Sequence, residues 1–95
     1  MSENKYAELK KRYERLFKDK KRAVLGVMLY RIDELNKKPI TDETKKQAAQ
    51  LDYELIGYID ELNSSRSKKR KIWAKNIECM WHNSKFYGYC LEGYE

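Results

Sequence analysis

One proline and four glycines are all that this 95-residue chain holds in the way of backbone breakers. A sandwich or barrel of many short strands needs far more turn residues, so strand-rich folds are excluded and an all-α fold is expected. Histidine is scarcer still, with His82 alone. A nucleophile with a histidine base, or a two-histidine metal motif, has almost nothing to draw on. The carboxylates Asp33 and Glu34, Asp52 and Glu54, and Asp60 and Glu61 fall at helix positions expected to be exposed, and they form no evident acid pair. By elimination no enzyme and no cofactor is expected.

Cysteine is also sparse. Cys79 and Cys90 are too few for a disulfide framework and are read as free thiols. Cys79-x2-His82-x7-Cys90 presents three soft ligands but lacks the paired spacing of a zinc finger or ribbon, so no metal is expected. No stretch approaches the roughly 18 consecutive apolar residues of a membrane span. The opening Met1-Ser2-Glu3-Asn4-Lys5 lacks the apolar segment of a signal peptide. A cytoplasmic protein without membrane contact is the expectation.

What the chain has in abundance is charge. Charged residues make up 38% of it and the net charge is +6, against roughly 25% charged residues in an average domain. The cations are concentrated in two places. Residues 5–22 hold nine Lys/Arg against three Asp/Glu, and residues 66–75 hold six Lys/Arg and no acid, whereas residues 23–65 carry five basic against eight acidic side chains.

The apolar pattern has helical period. Tyr6, Leu9, Tyr13 and Leu16 form one stripe, and Val24, Leu25, Val27, Met28, Leu29, Tyr30, Ile32 and Leu35 form a dense run expected at the buried centre. Together they predict a helix over about 4–36, with a break near Lys20 left open because no strong breaker stands there. Asn36-Lys37-Lys38-Pro39 ends it, since the residue before proline is pushed out of the helical region. Thr41 reads as the N-cap of a second helix, with Ile40 placed for a hydrophobic staple. Ala48, Leu51, Leu55, Tyr58 and Leu62 extend that helix over 42–63. After the polar Asn63-Ser64-Ser65-Arg66-Ser67, a third helix is predicted over 67–82, and a connection this short turns the chain back on itself. Residues 83–95 read as a short aromatic tail packed on the bundle, with a hairpin over 77–91 as the alternative. The whole is expected to be one small domain of three main helices.

The most pointed sequence feature is Arg66-Ser67-Lys68-Lys69-Arg70-Lys71-Ile72-Trp73-Ala74-Lys75. Closely spaced cations replace counterions along a phosphate backbone, and Trp73 is placed to stack on a base. Cations are also unfavourable at the positive end of a helix dipole, so such a start calls for an anionic partner or nearby acids. Lys68, Lys69, Arg70, Lys71, Lys75 and Trp73 are therefore candidate nucleic-acid contacts, with Lys20, Lys21 and Arg22 as helpers. The bland alternative is a solvated face, with the first segment neutralised by pairs such as Glu8 with Arg12 and Glu14 with Lys18. A helix-turn-helix with 67–82 as recognition helix is disfavoured by the length of 42–63 and a turn without glycine.

The second cluster is aromatic. Trp73 and the segment from Trp81 to Tyr94 hold six of the twelve aromatic residues, and Trp81, Phe86, Tyr87 and Tyr89 are candidate anchors for a protein partner. The leading expectation is a small non-catalytic nucleic-acid-binding regulator with mainly backbone contacts. The alternative is a protein-binding inhibitor or adaptor of the phage or mobile-element accessory type, acting on a host protein. A homo-oligomer with stripes paired between chains is a third reading.

Overall fold

The computed structural model describes residues 2–89, with side chains from Ala7 onward. Four helices follow one another: α1 (Ser2–Leu16), α2 (Lys20–Asn36), α3 (Asp42–Asn63) and α4 (Lys68–His82), with a short 3-10 turn, η1 (Tyr87–Tyr89). The fold is all-α, and no strand occurs among the described residues. The hairpin alternative over 77–91 is overturned, because residues 77–82 continue α4 and 87–89 form η1.

The predicted first helix is two. Asp19 adopts an extended backbone and its side chain accepts the Lys21 N–H at 2.9 Å, which starts α2 afresh. A short acidic side chain competing for a nearby amide is the physical cause, and neither glycine nor proline is needed. α1 then folds back along α2. Their seam is close at Gly26, where a Cβ would stand 3.0–3.2 Å from the Tyr13 ring. Ala23, Gly26 and Val27 are buried on this face of α2, while Leu25, Met28, Ile32 and Leu35 face the main core. α2 is thus covered on two sides, which is why its sequence is apolar nearly all round.

α3 begins where the sequence places it. Thr41 caps it and forms a reciprocal capping box with Thr44, whose hydroxyl also donates to the Pro39 carbonyl at 2.9 Å. Ala48, Leu51, Leu55, Tyr58 and Leu62 enter the core, and α4 contributes Ala74, Ile77 and Trp81. The Trp81 indole N–H donates to Asp52 at 2.9 Å. Asp52 is therefore the partner of a core tryptophan rather than a freely solvated acid.

The chain after α4 returns to the core. Phe86 is fully buried, and Ser84 is buried with its hydroxyl donating to Asn36 at 2.5 Å, tying this segment to the end of α2. η1 packs against α3. Residues 90–95 of the expected tail lie outside the described residues, and Cys90 with them.

Candidate nucleic-acid interface

The two basic segments meet. α2 and α4 both begin at the same end of the bundle, and the joint between them is an ion pair. Arg70 Nε and Nη2 donate to the two oxygens of Asp19 at 3.2 and 3.0 Å. This fork hydrogen bond holds the Asp19 carboxyl below its ordinary value, outweighing the opposing effect of burial. Asp19 therefore does two things at once: it caps α2 and pairs with Arg70 in the first turn of α4.

The end of α3 closes the same site. The Tyr58 hydroxyl donates to the Lys21 carbonyl at 2.6 Å, and burial pushes its pKa up. Lys21 Nζ pairs with Glu61. Arg22 lies over the Phe17 ring, 4.3 Å from its centroid. The first two contacts stitch the start of α2 to the end of α3, and the third closes the α1–α2 turn on itself.

The candidate cations consequently divide. Arg70 and Lys21, candidate phosphate contacts in the sequence, carry ion pairs within the fold while remaining partly exposed. Arg22 is half-buried against Phe17. Lys20, Lys68, Lys69, Lys71 and Lys75 are exposed and have no ion pair among the described residues. Trp73 is half-buried at the edge of the core, with Lys69 Nζ 5.5 Å from its ring centroid. Neither α2 nor α4 has an acid in its first turn. The pairs Glu8–Arg12 and Glu14–Lys18, expected to neutralise α1, are not formed among the described residues. The result is two helix N-termini and several lysines without ion pairs at one end, a concentration of positive potential.

The aromatic candidates divide more sharply. Trp81 is 2% exposed and Phe86 is fully buried, so both are corrected from partner anchors to core residues. Tyr87 and Tyr89 remain exposed. Tyr87 stands edge-on to Trp81 and 4.4 Å from the His82 ring centroid, and Lys45 Nζ lies 5.2 Å from the Tyr89 centroid. Cys79 is exposed, and the three-ligand set with His82 extends to Cys90 outside the described residues.

Two features are not anticipated by the sequence pattern. One is Asp19, whose signal is its position as the single acid within Lys18-Asp19-Lys20-Lys21-Arg22. The other is a groove of about 660 Å³ between α3, α4 and η1, bordered by Asp52, Asp60 and Glu78. Its signal is the spacing of Asp52, Ile56 and Asp60, four apart and hence on one face of α3.

Comparison with models of known protein families, with curated proteins and with solved structures finds no match. Among the described residues no helix is long and apolar enough to cross a membrane.

Proposed function

We propose that this chain is a small non-catalytic nucleic-acid-binding regulator, which takes a phosphate backbone at the shared start of α2 and α4. One observation carries the reading: the Asp19–Arg70 pair joins the two basic helix starts of α2 and α4, while Lys20, Lys68, Lys69, Lys71 and Lys75 are exposed and without ion pairs among the described residues. Lysines in the first turn of a helix oppose its dipole, and a polyanion relieves that repulsion. Lysines on flexible stems meet phosphates as point charges, which favours contact with the backbone over base readout. Trp73 is half-buried with Lys69 Nζ 5.5 Å from its ring centroid, so base stacking is secondary to the lysine contacts in this reading.

The test is a salt titration of binding to duplex DNA, single-stranded DNA and RNA. Binding should weaken steeply with salt, and Lys68→Ala, Lys69→Ala, Lys71→Ala and Lys75→Ala should each reduce the salt slope by about one. No binding at low salt, or unchanged binding when all four are replaced together, refutes the reading.

A further inference from the structure

The groove between α3, α4 and η1 has a character opposite to that of the basic end. Its acidic lining is Asp52, Asp60 and Glu78, in a chain of net charge +6. Neither Asp60 nor Glu78 has an ion pair among the described residues. At its edge Ile56 is 61% exposed, and Tyr87 is exposed across from it. An aliphatic side chain and an aromatic ring flanked by the carboxylates of Asp60 and Glu78 suit an apolar anchor surrounded by cations.

Such an anchor is on the chain itself. Ile72 stands on the outer face of α4, 58% exposed. Lys68 and Lys69 lie one turn before it and Lys75 one turn after, so three cations surround one aliphatic knob. Ile72 and Glu78 are six residues apart, which at 3.6 residues per turn puts them on different sides of α4. One molecule therefore presents knob and groove at once, and the two cannot meet within it.

We propose that the groove receives the Ile72 knob of a second copy, with Lys68, Lys69 and Lys75 of that copy facing Asp52, Asp60 and Glu78. The pairing proposed is one-way, the knob of one copy in the groove of the next, which is heterologous; a two-fold dimer would instead seat both knobs in both grooves at once and stop at two copies. Each added copy leaves a groove and a knob free for the next. The knob shares its lysines with the proposed phosphate surface, so a bound nucleic acid competes with the neighbouring copy.

The experiment uses the full chain freed of nucleic acid by nuclease treatment and high-salt washing, studied by sedimentation at rising concentration in low salt. The expected result is a weight-average mass that rises with concentration. An Asp60→Lys/Glu78→Lys variant, which lacks a groove, and an Ile72→Glu variant, which lacks a knob, should each remain monomeric. All three positions are exposed or partly exposed, and unchanged helical circular dichroism verifies that both variants fold. Mixed in equal amounts, the variants should give a species of two chains and nothing larger, because one intact groove and one intact knob remain. A wild-type chain that stays monomeric throughout, variants that assemble like wild type, or a mixture that stays monomeric overturns the proposal. If the wild type is monomeric while a synthetic Lys-rich helical peptide bearing one Ile perturbs the Tyr87 resonances, the groove serves a foreign basic segment and self-association is refuted. The phosphate reading is scored separately, since Asp60→Lys/Glu78→Lys leaves Lys68, Lys69, Lys71 and Lys75 in place.

Discussion

Asp19 links stability and binding with opposite signs. Asp19→Ala removes the α2 cap and the Arg70 brace, and loss of the cap alone typically costs about 1 kcal/mol. The same change removes a negative charge from the basic end. We predict that Asp19→Ala lowers the melting temperature while tightening nucleic-acid binding at low salt, which thermal denaturation and a parallel binding titration will check. The pH dependence has a defined direction. The Asp19 carboxyl is held below its ordinary value of 3.8, so its contribution is complete above that value and is lost as pH falls through the lower native one. Asp19→Asn can still cap but cannot pair as an anion. The stability gap between wild type and Asp19→Asn should be constant near neutrality and shrink below about pH 4, as read by denaturant melts across that range.

Lys68 and Lys69 test the reverse trade. Both are exposed in the first turn of α4, where a cation opposes the dipole and an acid complements it, each by about 0.3–1 kcal/mol. Lys68→Glu/Lys69→Glu should therefore raise the melting temperature and weaken nucleic-acid binding. A double variant that loses stability would show that these lysines support the fold instead.

Among the helices, glycines report on packing. Gly57 lies in the interior of α3, and a Cβ added there would meet nothing within 4 Å. Gly57→Ala should stabilise by about 0.5–1 kcal/mol through helix propensity and lost unfolded-state freedom. At Gly26 the Tyr13 ring occupies the space, so Gly26→Ala gains the same propensity and loosens the α1 seam. The difference appears in hydrogen exchange: α1 amides should lose protection in Gly26→Ala and keep it in Gly57→Ala. Among the described residues α1 makes no substantial contact with α3 or α4, so even in the wild type its amides should exchange before those of the other helices.

These elements are unequally legible in the sequence. α3 is plain because Pro39, Thr41 and a long regular stripe agree. The α1–α2 break is obscured because its cause is one side-chain hydrogen bond at Asp19, in a segment whose composition suits a helix. The basic end is legible as two charge runs, but the division of its cations into ion-paired residues and exposed lysines depends on contacts such as Arg70 to Asp19, 51 residues apart. Aromatic richness misleads at Trp81 and Phe86 for a related reason. Composition shows that large rings are present, and only the packing decides whether they serve the core or the surface.

For the molecule as a whole, separation of charge matters more than its sum. Cations collect where α2 and α4 begin, and the α3–α4 groove is acidic. A change in net charge should therefore have effects that depend on where it is made. Adding lysine at Asp60 and Glu78 should alter self-association far more than nucleic-acid affinity, and removing Lys68 and Lys69 should alter both.

Phe86 is fully buried in the same core as Leu25, Met28 and Ile32, and Ser84 reaches back 48 residues to Asn36. A nascent chain that has exposed only α1, α2 and α3 to solvent lacks the ring that completes their packing. Completion of the core therefore requires both α4 and the segment beyond it, the last parts of the described chain to be made.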